Sequence, residues 1–139
     1  MNKQEIFNKV ATHLLTQGKK AWDQEEQQCA YFVEATGDTC AIGCLIPKKL
    51  YDSDIEGGGI ECLSTEYASR YPHIAEKQNK LYRILNKAGI RNISFKLLED
   101  LQKVHDRDEP FDWPVALITV AEKYGLHHGV VDNFVQKHC

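Results

Sequence analysis

The sequence predicts a single α+β domain over residues 1–139, mainly helical, with a small β-hairpin packed against about five helices. Three observations predict it. Apolar residues recur at helical spacing in segment after segment, each bounded by capping residues. One stretch breaks that habit: Cys29 to Pro47, CAYFVEATGDTCAIGCLIP, carries its apolar residues without helical spacing and holds three of the five cysteines. No internal repeat, low-complexity run or composition shift marks a second domain, and a chain of this length buries roughly two-thirds of its unfolded surface.

The elements follow in order. Asn2 caps a first helix, with Glu5 as its reciprocal partner and Met1 against Ile6 as a hydrophobic staple. Ile6, Val10 and Leu14 form the inward stripe, widened by Phe7 and Leu15, and Gly18 stops the helix. Trp22 falls in a polar linker and is expected at the core edge. Cys29–Val33 then reads as a strand of aromatic and β-branched residues. Ala35-Thr36-Gly37-Asp38 reads as a turn, and Thr39–Ile46 as the returning run, ended by Pro47. That second run also fits a strand passing into a short helix near Gly43, because Cys40 and Cys44 share a face in either conformation. Lys48 to Gly59 reads as a loop, and Cys62 to Tyr71 as a short helix. Pro72 opens a stronger helix with Ile74, Leu81, Leu85 and Ala88 on one side and Gly89 closing it. Asn92 or Ser94 caps the next, whose stripe is Leu97, Leu98, Leu101 and Val104, with Phe95 alongside and His105 at its edge. After the charged break Asp106–Pro110, Asp112 caps a helix with Pro114 in its first turn, and Trp113, Leu117, Val120, Ala121 and Tyr124 face inward. Gly125-Leu126 matches a Schellman ending, and Val130 to Lys137 reads as a last short helix.

Composition excludes several partner classes. The net charge is −3, with 42% apolar and 27% charged residues. Basic residues cluster only as Lys19-Lys20 and Lys48-Lys49, and the acidic stretch from Tyr51 to Ser69 contains no basic residue. Nucleic-acid affinity requires a concentrated positive face, so nucleic acid is not expected as a partner. No stretch approaches the ~20 apolar residues that span a bilayer, so no membrane partner is expected. Charges in MNKQEIFNKV occupy the place of a signal-peptide core, and an odd number of cysteines suits reduced thiols; both point to the cytoplasm.

Candidate chemistry rests on few residues. Cys29, Cys40, Cys44 and Cys62 form the one conceivable zinc set, but they lack the close pairs of structural sites, and buried thiols explain them better; no metal or cofactor is expected. Asp52, Asp54, Glu56 and Gly57 imitate the first half of a calcium loop, but Leu63 stands where the bidentate glutamate belongs, which favours a solvated acidic loop. The tail carries His127-His128 and His138-Cys139; adjacent histidines at a helix exit suit the helix end and need no ligand. The sharpest enzymatic constellation is a thiol at a strand-to-helix passage with a histidine base: Cys40 or Cys44 with His105, and Asp106 or Asp108 nearby in sequence.

The pattern Cys29-Ala30-Tyr31, Cys40 to Pro47, Tyr51-Asp52, Glu56-Gly57, His105-Asp106 and Trp113 resembles a family of uncharacterised small bacterial and phage proteins. Lys48-Lys49 departs from the acidic pair expected after the proline. The resemblance implies an accessory or phage-encoded cytoplasmic protein, brings no activity, and makes Tyr51, Asp52, Glu56, Gly57 and Trp113 candidate binding residues. The expected function is a non-catalytic protein-binding module that modulates a host factor or defence system, with a homodimer left open. The alternatives are a cysteine-dependent hydrolase or transferase using the Cys–His pair, and a binder of a small molecule or nucleotide signal.

Overall fold

A computed structural model describes residues 1–57 and 70–138. Five α-helices stand among the described residues: α1 (Lys3–Gln17), α2 (Pro72–Lys87), α3 (Phe95–Arg107), α4 (Trp113–Lys123) and α5 (Gly129–His138). Helix α1 is central. Its apolar stripe of Ile6, Phe7, Val10, Ala11, Leu14 and Leu15 is buried, and it packs on α3, α4 and α5. The Asn2 capping box forms as the sequence implies, with the Asn2 carboxamide oxygen accepting from Glu5 N at 2.8 Å and Glu5 Oε1 accepting from Asn2 N at 3.2 Å. Helix α4 ends in the Schellman geometry: Gly125 has φ 65°, Gly125 N donates to Glu122 O at 3.2 Å, and Leu126 N donates to Ala121 O at 2.8 Å. That ending turns the chain into α5, which Gln4 on α1 then ties down through two bonds to the backbone of His127, at 2.8 and 2.9 Å.

The α+β class is as expected, but the hairpin is not where the sequence placed it. The two strands are β1 (Trp22–Asp23) and β2 (Gln28–Cys29), paired antiparallel with Trp22 opposite Cys29. Between them, Asp23 Oδ1 accepts from Glu25 N and Glu26 N, and Gln27 takes φ 53°. Trp22 is thus a strand residue, 40% exposed, rather than part of a linker. In the stretch expected to form the hairpin, only one bridge remains, Phe32 with Thr39.

After the bridge at Thr39, the returning run folds into a 3-10 turn at Gly43–Leu45, the short helix near Gly43 that its second reading expected. It fails as a strand for a physical reason: Cys40, Ala41, Ile42 and Gly43 are buried consecutively, with no solvent face, so alternation is absent. Only Cys40 keeps a bond across to the facing run, its N–H donating to Tyr31 O at 3.2 Å; Ile42 and Gly43 donate to side chains instead. Ile42 N donates to Gln102 Oε1 on α3 at 3.1 Å, and Gly43 sits so close to Tyr31 that a Cβ there would collide with the Tyr31 carbonyl. Two further 3-10 turns, Lys48–Leu50 and Ser53–Ile55, carry the chain toward α2. Lys80 on α2 clamps the second by binding both Asp52 (3.0 Å) and Asp54 (2.9 Å). The expected helix Cys62–Tyr71, with Gly58 and Gly59 before it, lies outside the described residues apart from its last two positions. No helix among the described residues is long and apolar enough to cross a membrane.

Candidate functional site

Apart from Cys40 and Cys44, which stay in a turn of their own, the sequence-predicted site residues fall into three places. His105 and Asp106 close the last turn of α3, and the side chain beside them is Cys29 of β2, not Cys40 or Cys44. The thiol, one carboxylate oxygen and one imidazole nitrogen lie within 4.8 Å of one another. A backbone N–H can only donate, so the 2.9 Å bond from Ala21 N to His105 Nε2 makes that nitrogen the acceptor. The ring proton therefore sits on Nδ1 and is donated to Asp106 Oδ1 at 2.7 Å. Gln102, one turn earlier, donates Nε2 to the same oxygen at 2.9 Å. The ring is fully buried and stacks on Trp113 at 5.8 Å and 26°, while Trp113 Nε1 donates to Asp108 O at 3.1 Å.

This arrangement inverts the order of a nucleophile–base–orienter triad. The Asp106 carboxylate is the hydrogen-bond partner of both the thiol and the imidazole, and the imidazole lone pair that would accept the thiol proton is spent on Ala21. Burial, then the negative charge of Asp106, push the Cys29 thiol up to about 11, the opposite of the activation a nucleophile needs. The same bonds occupy both nitrogens a metal ion would use. Every polar atom of the His105 ring is satisfied, as a buried network must be to stabilise a fold.

The two thiols singled out for catalysis bond within their own turn. Cys40 Sγ accepts from Gly43 N at 3.3 Å, and Cys44 Sγ donates to Ala41 O at 3.1 Å. Burial holds Cys40 well above the usual thiol range and pushes Cys44 up to about 12. Neither is hydrogen-bonded to His105. Of the conceivable zinc set, Cys62 lies outside the described residues.

The second place is Glu56. Its carboxylate turns inward and accepts from Tyr31 N (2.9 Å), Phe32 N (3.2 Å) and the Tyr51 hydroxyl (2.5 Å). Burial, and the bond to Glu56, raise the Tyr51 hydroxyl above its ordinary range, and the Tyr51 ring meets Phe32 edge-on at 5.5 Å. Asp52 points away to accept from Asp54 N at 2.9 Å and to pair with Lys80; these two bonds hold its carboxyl below the usual range. The calcium-like carboxylates thus diverge, with Glu56 bound to backbone and Asp52 and Asp54 to a lysine. Gly57 and Glu56, together with Cys29, Cys40, Gln102 and Asp106, border a cavity of only about 10 Å³, too small for any ligand beyond a water molecule.

The third place is Trp113, which is fully buried and so forms core rather than a binding surface. Next to it lies a residue the sequence reading passed over. Phe111, two positions before Trp113, is 93% exposed, and Val115, four residues on, is 71% exposed. The i, i+4 spacing on the face opposite Trp113 and Leu117 was the signal that could have found them. Comparison with protein-family models, curated proteins and solved structures finds no match.

Proposed function

We propose that this chain is a non-catalytic protein-binding module, a small cytoplasmic accessory protein of the bacterial or phage kind that its sequence resembles. The observation that supports this reading is the exposure of Phe111 beside Val115 on a rigid base. A phenylalanine in water forgoes about 2 kcal/mol of burial, and large aromatics on well-anchored backbone are the residues that dominate protein interfaces. The base is firm: Pro110–Asp112 forms a 3-10 turn leading directly into α4, pinned by buried Trp113.

The test is a photo-crosslinking amino acid placed at position 111 in cells, with a control at exposed Glu76 on α2. A discrete adduct at 111 and none at 76 supports the reading; no adduct, or the same adducts at both, overturns it. A cysteine-dependent hydrolase or transferase is the second reading, favoured by one observation, the proximity of Cys29, Asp106 and His105. It requires Ala21 to release His105 Nε2 before that nitrogen can take the thiol proton.

A further inference from the structure

The surroundings of Phe111 carry information about what meets it. From Asp106 to Asp112 the chain holds four carboxylates and one cation, Arg107. Asp106 is committed to His105 and Gln102. Glu109 is 76% exposed and reaches Lys20 only at 3.9 Å, and the Asp112 side chain is exposed with no hydrogen bond or ion pair among the described residues. Further along the outward face of α4, Glu122 is exposed as well. The apolar pair therefore projects from a rim that is predominantly negative and weakly compensated.

Resting on the binding reading above, we propose that the Phe111–Val115 ridge docks into an apolar socket rimmed by lysine and arginine on a partner protein. The two features address two parts of one interface. Phe111 is a convex anchor that requires a concave apolar pocket, and the carboxylates around it require cations at the pocket edge. A second copy of this chain is a poor occupant, because two-fold contact through Phe111 brings Glu109 and Asp112 of one copy against those of the other. An anionic membrane surface is repelled by the same rim.

The experiment is selection of a random-peptide display library on the full chain, with each enriched binder then titrated against wild type and Phe111→Asp. The proposal expects the Phe111-dependent binders to carry aromatic or aliphatic residues flanked by lysine and arginine. Their affinity should fall at least tenfold on Phe111→Asp. It should fall about three- to tenfold on the double change Glu109→Gln, Asp112→Asn, and drop as salt is raised. Phe111-dependent binders with neutral or acidic flanks overturn the charge complementarity while leaving a protein-binding ridge in place. Basic binders indifferent to Phe111 show bulk attraction to an acidic protein and overturn the ridge. Absence of Phe111-dependent binders overturns both, and so does concentration-dependent dimerisation that Phe111→Asp abolishes, since it makes a second copy the occupant.

Discussion

Replacing His105 separates a structural imidazole from a catalytic one. His105→Ala empties a fully buried site, removes the ring that stacks on Trp113, and strands the buried Ala21 N–H. The stacking contributes about 1 kcal/mol, the orphaned donor costs about 1–3 kcal/mol, and the cavity adds about 1–2 kcal/mol. The expected total is about 4 kcal/mol, a large share of a stability of about 5–15 kcal/mol. Two closer substitutions divide the network. The Oε1 atom of a glutamine reaches the place of Nε2 and keeps an acceptor for Ala21, whereas the Nδ2 atom of an asparagine keeps the donor to Asp106 and abandons Ala21. Asp106 retains Gln102 and a partly solvated position, so losing the imidazole donor is the smaller loss. His105→Gln is therefore expected to cost about 2 kcal/mol and His105→Asn about 3 kcal/mol. Urea unfolding followed by tryptophan fluorescence and circular dichroism gives the values, with coincident transitions and unchanged slopes as the condition for comparing them. The reasoning is refuted if His105→Ala costs less than about 1 kcal/mol, or if asparagine proves milder than glutamine.

Other outcomes follow from the same geometry. Gly43→Ala is expected to destabilise by at least about 3 kcal/mol, since a Cβ there meets rigid backbone rather than a side chain that can move; a thermal melt within two or three degrees of wild type would contradict it. Glu56→Gln turns a carboxylate that accepts three bonds into an amide with one acceptor oxygen, costing about 1–3 kcal/mol, and a spectroscopic titration should find the Tyr51 hydroxyl ionising at lower pH. Burial lifts the Asp100 carboxyl, but bonds from Tyr124 and Lys123 outweigh that and hold it below its ordinary value. A depressed folded value means that this contribution is present above the unfolded value of about 3.9 and lost as pH falls through the folded one. Asp100→Asn should accordingly flatten the loss of stability below about pH 4; an unaltered acid limb would count against the bond set. Gln4→Ala, which breaks both bonds to His127, should cost about 1 kcal/mol and raise amide exchange in α5 before that in α1.

Local rules carried far in this chain, and non-local ones did not. The Asn2 capping box and the Gly125 ending involve residues within five positions of one another, and the stripes of α2, α3 and α4 each lie within one helix, so each is written in a short window of sequence. The hairpin was misplaced because its true turn, Gln24 to Gln27, contains no glycine, proline or asparagine and depends on Gln27 adopting a positive φ. The run Thr39–Ile46 looked strand-like because apolar residues buried on every side have no periodicity to read. The His105 neighbourhood was half legible. Adjacent His105-Asp106 drew attention as a chemical pair, but the acceptor role of Nε2 depends on Ala21, 84 positions away, and nothing local distinguishes Cys29 from Cys40 as the neighbouring thiol. Phe111 precedes α4, in the turn Pro110–Asp112, so the inward stripe of that helix does not include it and the sequence pattern gives it no partner.

The most direct test of the account is the rate of Cys29 alkylation in the native protein as a function of pH, in wild type and His105→Gln. With its thiol held at about 11 and no free imidazole nitrogen beside it, Cys29 should react slowly at neutral pH. Its rate should climb only above about pH 9, with no acid shoulder, and glutamine at 105 should leave the neutral rate within about twofold. Rapid alkylation near pH 7 that disappears in His105→Gln would contradict the account and make the Cys29–His105 pair a catalytic one.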